Sequence, residues 1–591
     1  MSYPSIRTLT AALTIALVSA CSADKPPKAE PTPTAEAPVS KTETQQPADT
    51  VFTNGKVYTV NEEQPWAEAV AIRGDEIVYV GDTAGAKAFL GDDTKTIDLQ
   101  GKMALPGFVD AHAHAVAGGL IMQGVDLQSN SIDEIFELIK KEVASNQDDI
   151  ILGYGVRFNP WTDGYPTAAM LDEIESERPV YFWAISGHAA WVNSKTLELA
   201  GINKDTPDTM PGFSFYERDA EGNPTGWIVE LPAQMEVLGR ILNVDAEFMQ
   251  SGVELWLERF SAAGITAVQD LGIQGMTQPD GFQMFTDIAE AGELPLRVQG
   301  VYYWNDAAID PIAEVQALQE RFTHPLMQVG KLKINADGGD DSKNALYIDG
   351  YADDPELDPD PIIPVEVIED AVARGDALGI DSVCHCFGDG AVRIMLDAVE
   401  KAIASNGPRD RRMAITHGVS VHPDDIPRFA ELNVIYDSSG AWMSYDPVMQ
   451  AISNKRIGKE RTQQTFPTGK IVAAGGTFSL GSDWPVAGYI SEYRPLVAIE
   501  TAVTRTLDGR KDVPPLGGPD AGVSVEYAIR AATINAAYNM NRESEIGSLE
   551  VGKKADLVIL SENLLEIDAN DISEVDVLYT FMGGQLVHKA D

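Results

Sequence analysis

Cysteine is nearly absent from this chain, with three in 591 residues, at Cys21, Cys384 and Cys386. That excludes a disulfide framework, and the last two, at i and i+2 on one strand-like run, do not meet disulfide geometry with each other. Long apolar runs are lacking too: the stretch from Leu9 to Ala20 is too short to span a bilayer. Cationic side chains are scarce. Against 90 Asp and Glu there are 44 Lys and Arg, and the formal net charge of −46 argues against nucleic acid and anionic lipid surfaces as partners. The acidic residues are spread without long blocks, the pattern of a solubilising surface. No internal repeat is evident. Histidine numbers only eight, so the places where it falls are informative.

At the N-terminus Arg7 precedes the short apolar stretch, which ends in Leu17-Val-Ser-Ala-Cys21. This looks like a bacterial lipoprotein signal over residues 1–20, with cleavage leaving Cys21 as the acylated first residue. The alternative is an ordinary secretory signal. Ser22 carries no inner-membrane retention signal of the aspartate type, so the expected location is the outer membrane, facing the periplasm. Residues 21–49, rich in Pro, Thr, Ala, Glu and Lys, read as a disordered tether.

From residue 50 to 105 short alternating runs with turns, such as Ala69-Val-Ala-Ile-Arg-Gly-Asp75, read as β-hairpins, and residues 545–591 read similarly. Between them, over 106–544, strand-like runs alternate with helical stretches such as Ile132 to Ser145, Phe248 to Ala263 and Val365 to Leu378, the rhythm of a (β/α) barrel. A helix near Ser524 to Ala537 would close it. An excursion at about 159–242, holding Trp161, Trp183, Trp191 and Trp227, is too long for an ordinary connection and suggests a lid. Those tryptophans suit packing, with Trp161 kept as a candidate substrate contact.

His112 and His114, in Leu105-Pro-Gly-Phe-Val-Asp-Ala-His-Ala-His114, stand at i and i+2 after an apolar run. On a strand both imidazoles point the same way and can meet one cation. Three more metal-capable residues end similar runs: His385, His417 and Asp483. Lys333 sits in Val-Gly-Lys-Leu-Lys333-Ile-Asn-Ala-Asp-Gly338, with Lys331 two residues earlier as the alternative. In a parallel barrel the C-terminal strand ends converge on one face, so residues far apart in sequence can build one site. Cys384 and Cys386 flank His385 and should face the surrounding helices.

These motifs resemble the amidohydrolase superfamily, and within it amidohydrolase family 3, the YtcJ-like branch. The likeness also takes in Gly187-His188-Ala-Ala-Trp-Val-Asn-Ser194, Glu217-Arg-Asp-Ala-Glu-Gly-Asn-Pro-Thr-Gly226, Gly481-Ser-Asp-Trp-Pro-Val486 and Gly547-Ser-Leu-Glu-Val-Gly-Lys-Lys-Ala-Asp-Leu-Val558. It implies a (β/α)8 TIM-like metallohydrolase barrel with a small β-sandwich built from both chain ends. It further implies that His112, His114 and Asp483 hold one divalent ion and His385 and His417 another. Lys333, five residues before Gly338 as the family motif requires, would take up carbon dioxide as a carbamate bridging the two. The ions would be zinc, about two per chain, with manganese, iron or cobalt as alternatives. Asp483 would move the proton of the attacking water. His188 would contact the substrate or its oxyanion, a structural histidine being the alternative, while His324, His422 and His588 lie outside the motifs.

The implied reaction is hydrolysis of a non-peptide carbon–nitrogen bond, in an amide, formamide or N-acyl group of a small molecule, by metal-bound hydroxide. The alternatives are a lactonase, esterase or deaminase and, further off, a noncatalytic solute-binding lipoprotein. Membrane contact through the lipid anchor alone is expected, and a homo-oligomer is compatible with the chain. Three positions depart from the family pattern: Gly390 where an Arg is common, Thr416 before His417 where a Glu is common, and Asp437-Ser-Ser-Gly440 in place of a Gln-Pro motif.

Overall fold

The computed structural model describes residues 46–590 except 158, 159, 162, 163, 186, 188, 211–213, 305–307, 341, 342, 445, 446, 486–491, 507–512, 519 and 520. The expected signal segment, Cys21 and most of the tether therefore lie outside the described residues. The tether expected to run to residue 49 gives way earlier to packed chain: Ala48 is buried and its N–H donates to the Phe89 carbonyl at 2.8 Å.

Eight parallel strands form the barrel: β1 Phe108–Ala113, β2 Ile265–Asp270, β3 Arg297–Trp304, β4 Met327–Asn335, β5 Asp381–Cys386, β6 Ala414–His417, β7 Ile435–Ser439 and β8 Phe478–Gly481. They pair in chain order from β1 to β8. The seam between first and last is joined just beyond β8, where Ser482 and Asp483 donate backbone N–H to the His112 carbonyl at 3.1 and 2.6 Å. His114 N in turn donates to the Trp484 carbonyl at 2.7 Å. Near-continuous burial along these strands is what a sheet covered by helices requires.

The covering helices are amphipathic. In Ala246–Ala262, capped by Asp245, residues Met249, Val253, Trp256 and Phe260 are buried at helical spacing and face the barrel core. Val365–Ala377 matches its expected span to within a residue, whereas the expected closing helix is two short ones, Val525–Ala531 and Ile534–Asn539. Cys384 and Cys386 are buried, free thiols packed in the same core as the helices.

Between β1 and β2 the chain builds a second, six-stranded sheet from Val125–Asp126 to Pro224–Val229. The helix Ile132–Ser145, read from sequence as part of the barrel rhythm, instead buries Ile135 and Ile139 with Ile151, Val180, Phe182 and Trp191 of this sheet. The excursion thus begins well before residue 159.

The two ends of the described chain meet in two more sheets. One carries Thr50–Thr53, Ala69–Arg73, Glu76–Gly81 and Lys95–Asp98. The other runs Gln585–Lys589, Val577–Met582, Leu557–Leu560, Met103–Pro106, Lys56–Tyr58, Trp66–Ala67. Phe52, Val70 and Ile72 of the first share a core with Val57, Leu557, Ile559 and Phe581 of the second, a small sandwich. Arg297, opening β3, ties it to the barrel through a buried two-point ion pair with Asp556 at 2.8 and 3.0 Å.

Candidate metal centre

All six expected ligands lie within two residues of a strand's C-terminal end. His112 stands between two carboxylates, with Nε2 3.0 Å from Asp483 Oδ1 and Nδ1 3.4 Å from Asp437 Oδ2. His114 Nε2 lies 3.5 Å from the same Asp483 oxygen, and its Nδ1 faces the Gly272 carbonyl at 3.2 Å. His417 Nδ1 is 3.8 Å from Asp483 Oδ2. Its ring stands 5.1 Å from that of His112 and 4.4 Å from that of His385. Donor atoms of His112, His417 and Asp483 fall within 4.8 Å of one another.

Local backbone explains the convergence. Gly481 has no Cβ, and one placed there would stand 2.4 Å from His112 Cβ, so glycine lets β8 close on β1. His417 and Asp483 both adopt left-handed backbone, at φ 68° and 58°. Non-glycine residues hold that conformation at a cost of about 1–3 kcal/mol each, a strain that clusters at functional sites.

The two lysines separate clearly. Lys333 Nζ donates to Thr416 Oγ1 at 3.0 Å inside the cluster of ligands, and that hydroxyl donates on to the Cys384 carbonyl. Lys331 Nζ is bonded instead to the Arg412 carbonyl and to Asn539 Oδ1, at 2.7 and 2.8 Å.

Burial dominates the electrostatics. It opposes charge on Asp483, yet the flanking imidazoles of His112 and His114 hold that carboxyl well below its ordinary range. Burial, aided by neighbouring His385, keeps the His417 ring neutral. It also lowers Lys333, with Asp483 opposing, which raises the share of neutral amine. Among the described residues, both ring nitrogens of His112 and Nδ1 of His417 are buried without a hydrogen-bond partner. Burial works against charge on His112, but Asp483 carries its pKa above the ordinary value, so that ring would give up a proton on taking a cation. Imidazole nitrogens left unsatisfied around an ionised carboxylate are a donor set that fits a divalent cation.

His385 completes the row. Its Nδ1 lies 3.3 Å from Asp337 Oδ1, and the Asp337 carboxylate also accepts N–H from Leu346, Phe387 and Gly388. Trp161 sits against Trp191 and Phe136 in the aromatic core of the second sheet, its ring N–H buried and without a partner among the described residues. His188 lies outside the described residues.

Four residues at this centre were not picked out from sequence. Asp437 ends an apolar run just as Asp483 does, a signal masked by its being read as a departure from the Gln-Pro pattern. Asp337 lies in the Lys333 motif but nothing in the spacing marks it. Asp110 accepts from the Ser482 hydroxyl and N–H at 2.6 and 2.9 Å, bracing the seam. Trp442 stacks on His417 with ring centres 5.1 Å apart and planes 18° from parallel. The Gly390 departure also has a local cause: a Cβ there would stand 2.9 Å from the Leu346 carbonyl, which accepts the Gly390 N–H.

Comparison with known proteins agrees with this geometry. Residues 95–588 match the model of the amidohydrolase family. An N-substituted formamide deformylase of Arthrobacter pascens is 28% identical over 92% of this chain and 98% of its own length. The LONG AFTER FAR-RED 3 protein of Arabidopsis thaliana is 29% identical over 92% of each chain. A solved structure of an uncharacterised metal-dependent hydrolase from Pyrococcus horikoshii superposes with a TM-score of 0.68 at 22% identity, over 88% of this chain and 99% of that one. The chain belongs to the amidohydrolase family and is a hydrolase of carbon–nitrogen bonds other than peptide bonds.

Proposed function

We propose that this enzyme cleaves an amide, formamide or N-acyl bond of a small molecule at a two-metal centre, zinc by preference. The observation that carries the metal is the trio of buried His112, His417 and Asp483, with donor atoms within 4.8 Å and imidazole nitrogens unpartnered among the described residues. His112, His114 and Asp483 would hold one ion and His385 and His417 the other. Lys333 would bridge them as a carbamate, its neutral amine attacking carbon dioxide to form the N–C bond with release of one proton. Ions so held would lower the pKa of water from about 15.7 toward neutrality, the chemistry they would supply at ordinary pH.

The chain's own groups do the rest. Asp483, ionised and wedged between imidazoles, accepts the water's proton and returns it to the leaving nitrogen. The likeness to a formamide deformylase supports the acyl class. His188 and Trp161 are proposed substrate contacts.

The proposed location is the outer membrane's periplasmic face, held by acylated Cys21, with small molecules as the enzyme's partners; among the described residues no helix is long and apolar enough to cross a membrane.

Zinc-loaded protein screened against N-formyl, N-acyl, lactone and amino-heterocycle panels tests the reaction. Turnover is expected with the first two; a best substrate among lactones or amino-heterocycles would move the enzyme to an esterase-like or deaminase class. Metal bound with no turnover on any panel would favour a solute-binding role.

A further inference from the structure

His112 uses one ring nitrogen toward Asp483, at 3.0 Å from Nε2. A neutral imidazole carries a single N–H, so an Nε2 free to bind a cation requires the proton on Nδ1. Whatever faces Nδ1 must then be an acceptor and nothing else. Asp437 Oδ2 faces it at 3.4 Å, slightly beyond a formed bond, and that oxygen has no other partner among the described residues. Both side chains are buried, at 1% and 0% exposure. An ionised carboxylate only accepts, whereas an amide in its place could also donate and would leave the tautomer open.

The other side of the carboxylate is anchored. Ser479 Oγ donates to Asp437 Oδ1 at 2.7 Å, Asn539 Nδ2 donates to Ser479 Oγ at 3.1 Å, and Lys331 Nζ donates to Asn539 Oδ1 at 2.8 Å. Because an ammonium can only donate, the Asn539 oxygen must face Lys331 and its amide nitrogen must face Ser479. Every donor in the chain therefore points toward Asp437, the polarity that an anionic acceptor demands. All four members are buried across the barrel interior.

We infer that Asp437 is a positioning residue of the metal centre: it fixes His112 as the Nδ1–H tautomer, and the Ser479–Asn539–Lys331 chain holds its carboxylate in place. The inference rests on the metal-centre reading above. A carboxylate behind a ligating imidazole both orients the ring and raises its basicity, and removing such a group typically costs about 10- to 100-fold in metal affinity.

The test is zinc affinity by competition with a chelator, together with the visible spectrum of the cobalt-loaded protein, for wild type, Asp437→Ala, Asp437→Asn and Ser479→Ala. Asp437→Ala should bind zinc about 10- to 100-fold more weakly with an altered cobalt spectrum. Asp437→Asn keeps an oxygen that can accept and should recover part of both; Ser479→Ala should weaken zinc by a smaller factor. A folded Asp437→Ala with affinity within about two-fold of wild type and an unchanged cobalt spectrum overturns the inference. A merely structural role would lower the melting temperature and leave that spectrum alone. Should Asp437→Ala not fold, wild-type affinity in both Asp437→Asn and Ser479→Ala overturns it equally. A wild-type protein that binds neither zinc nor cobalt refutes the metal centre itself and this inference with it, a result distinct from tight binding indifferent to Asp437.

Discussion

Asp483 is joined to His112 twice, by its backbone N–H, which donates to the His112 carbonyl at 2.6 Å, and by its carboxylate, which meets His112 Nε2 at 3.0 Å. One contact belongs to the barrel seam and the other to the candidate metal centre. Closure of the fold and assembly of the site are thus the same event at this pair.

Replacing Asp483 by Asn keeps the backbone contact and one oxygen but removes the proton acceptor. Turnover should fall by about 10²–10⁴-fold or more, chiefly in kcat, since general acid–base groups supply that range. Steady-state kinetics on the best screened substrate checks it; a loss confined to KM would assign the proton transfer elsewhere.

Lys333→Ala should reduce bound metal, measured by elemental analysis, and short-chain carboxylic acids that stand in for a carbamate should restore part of it. Lys331→Ala, whose partners are Arg412 and Asn539, should retain more metal. Equal losses at the two positions would count against a bridging role for Lys333.

A methyl group at residue 481 has nowhere to go while His112 Cβ stands 2.4 Å away. Gly481→Ala should therefore push β8 off β1 and weaken metal binding, with a drop in melting temperature of only about 1 °C for each 1 kcal/mol lost, since the unfolding entropy grows with chain length. Calorimetry with and without zinc reads both effects.

Asp376 is buried and accepts from Arg411 at 2.7 and 2.9 Å, from Asn406 at 2.8 Å and from Arg409. Burial would raise its pKa, but the hydrogen bonds of Arg411, Asn406 and Arg409 outweigh it and the folded value lies below the ordinary one. Its stabilisation is therefore complete above the unfolded value of about 4 and fades as pH falls through the folded value. Asp376→Ala should destabilise by about 3–5 kcal/mol at pH 7, by leaving Arg411 buried and unpaired, and by less in acid. Denaturant melts at both pH values decide it.

Wild-type protein should partition with the detergent-soluble membrane fraction through acylated Cys21, because two or more acyl chains anchor stably where one is marginal. Cys21→Ser should be released or left unprocessed. Intact-mass analysis showing an unmodified, soluble precursor in wild-type cells would refute the anchor.

The barrel and its strand-end residues are legible in the sequence because each carries its own local signal, an apolar run ending in His, Lys or Asp. Helix Ile132–Ser145 is equally legible as a helix, but amphipathic spacing says only that one face is buried, not which sheet buries it. Asp437 and Asp337 escape for another reason. They act on neighbouring imidazoles, His112 and His385, from different strands or loops, and sequence spacing contains no trace of such a pairing. Trp442 shows the same limit, since stacking on His417 depends on how a short turn after β7 folds back.

A single residue, Gly107, separates the sandwich strand Met103–Pro106 from β1, and its N–H donates to the Asp556 carbonyl at 3.0 Å. Met103–Pro106 in turn pairs antiparallel with Leu557–Leu560. The strand bearing His112 is thus set in register partly by residues synthesised some 450 positions later. Contacts so distant in sequence form slowly, because loop closure must precede them. During synthesis the chain should therefore remain incompetent for catalysis until its C-terminal tail has emerged, and loss of that tail should silence the enzyme from the far side of the barrel.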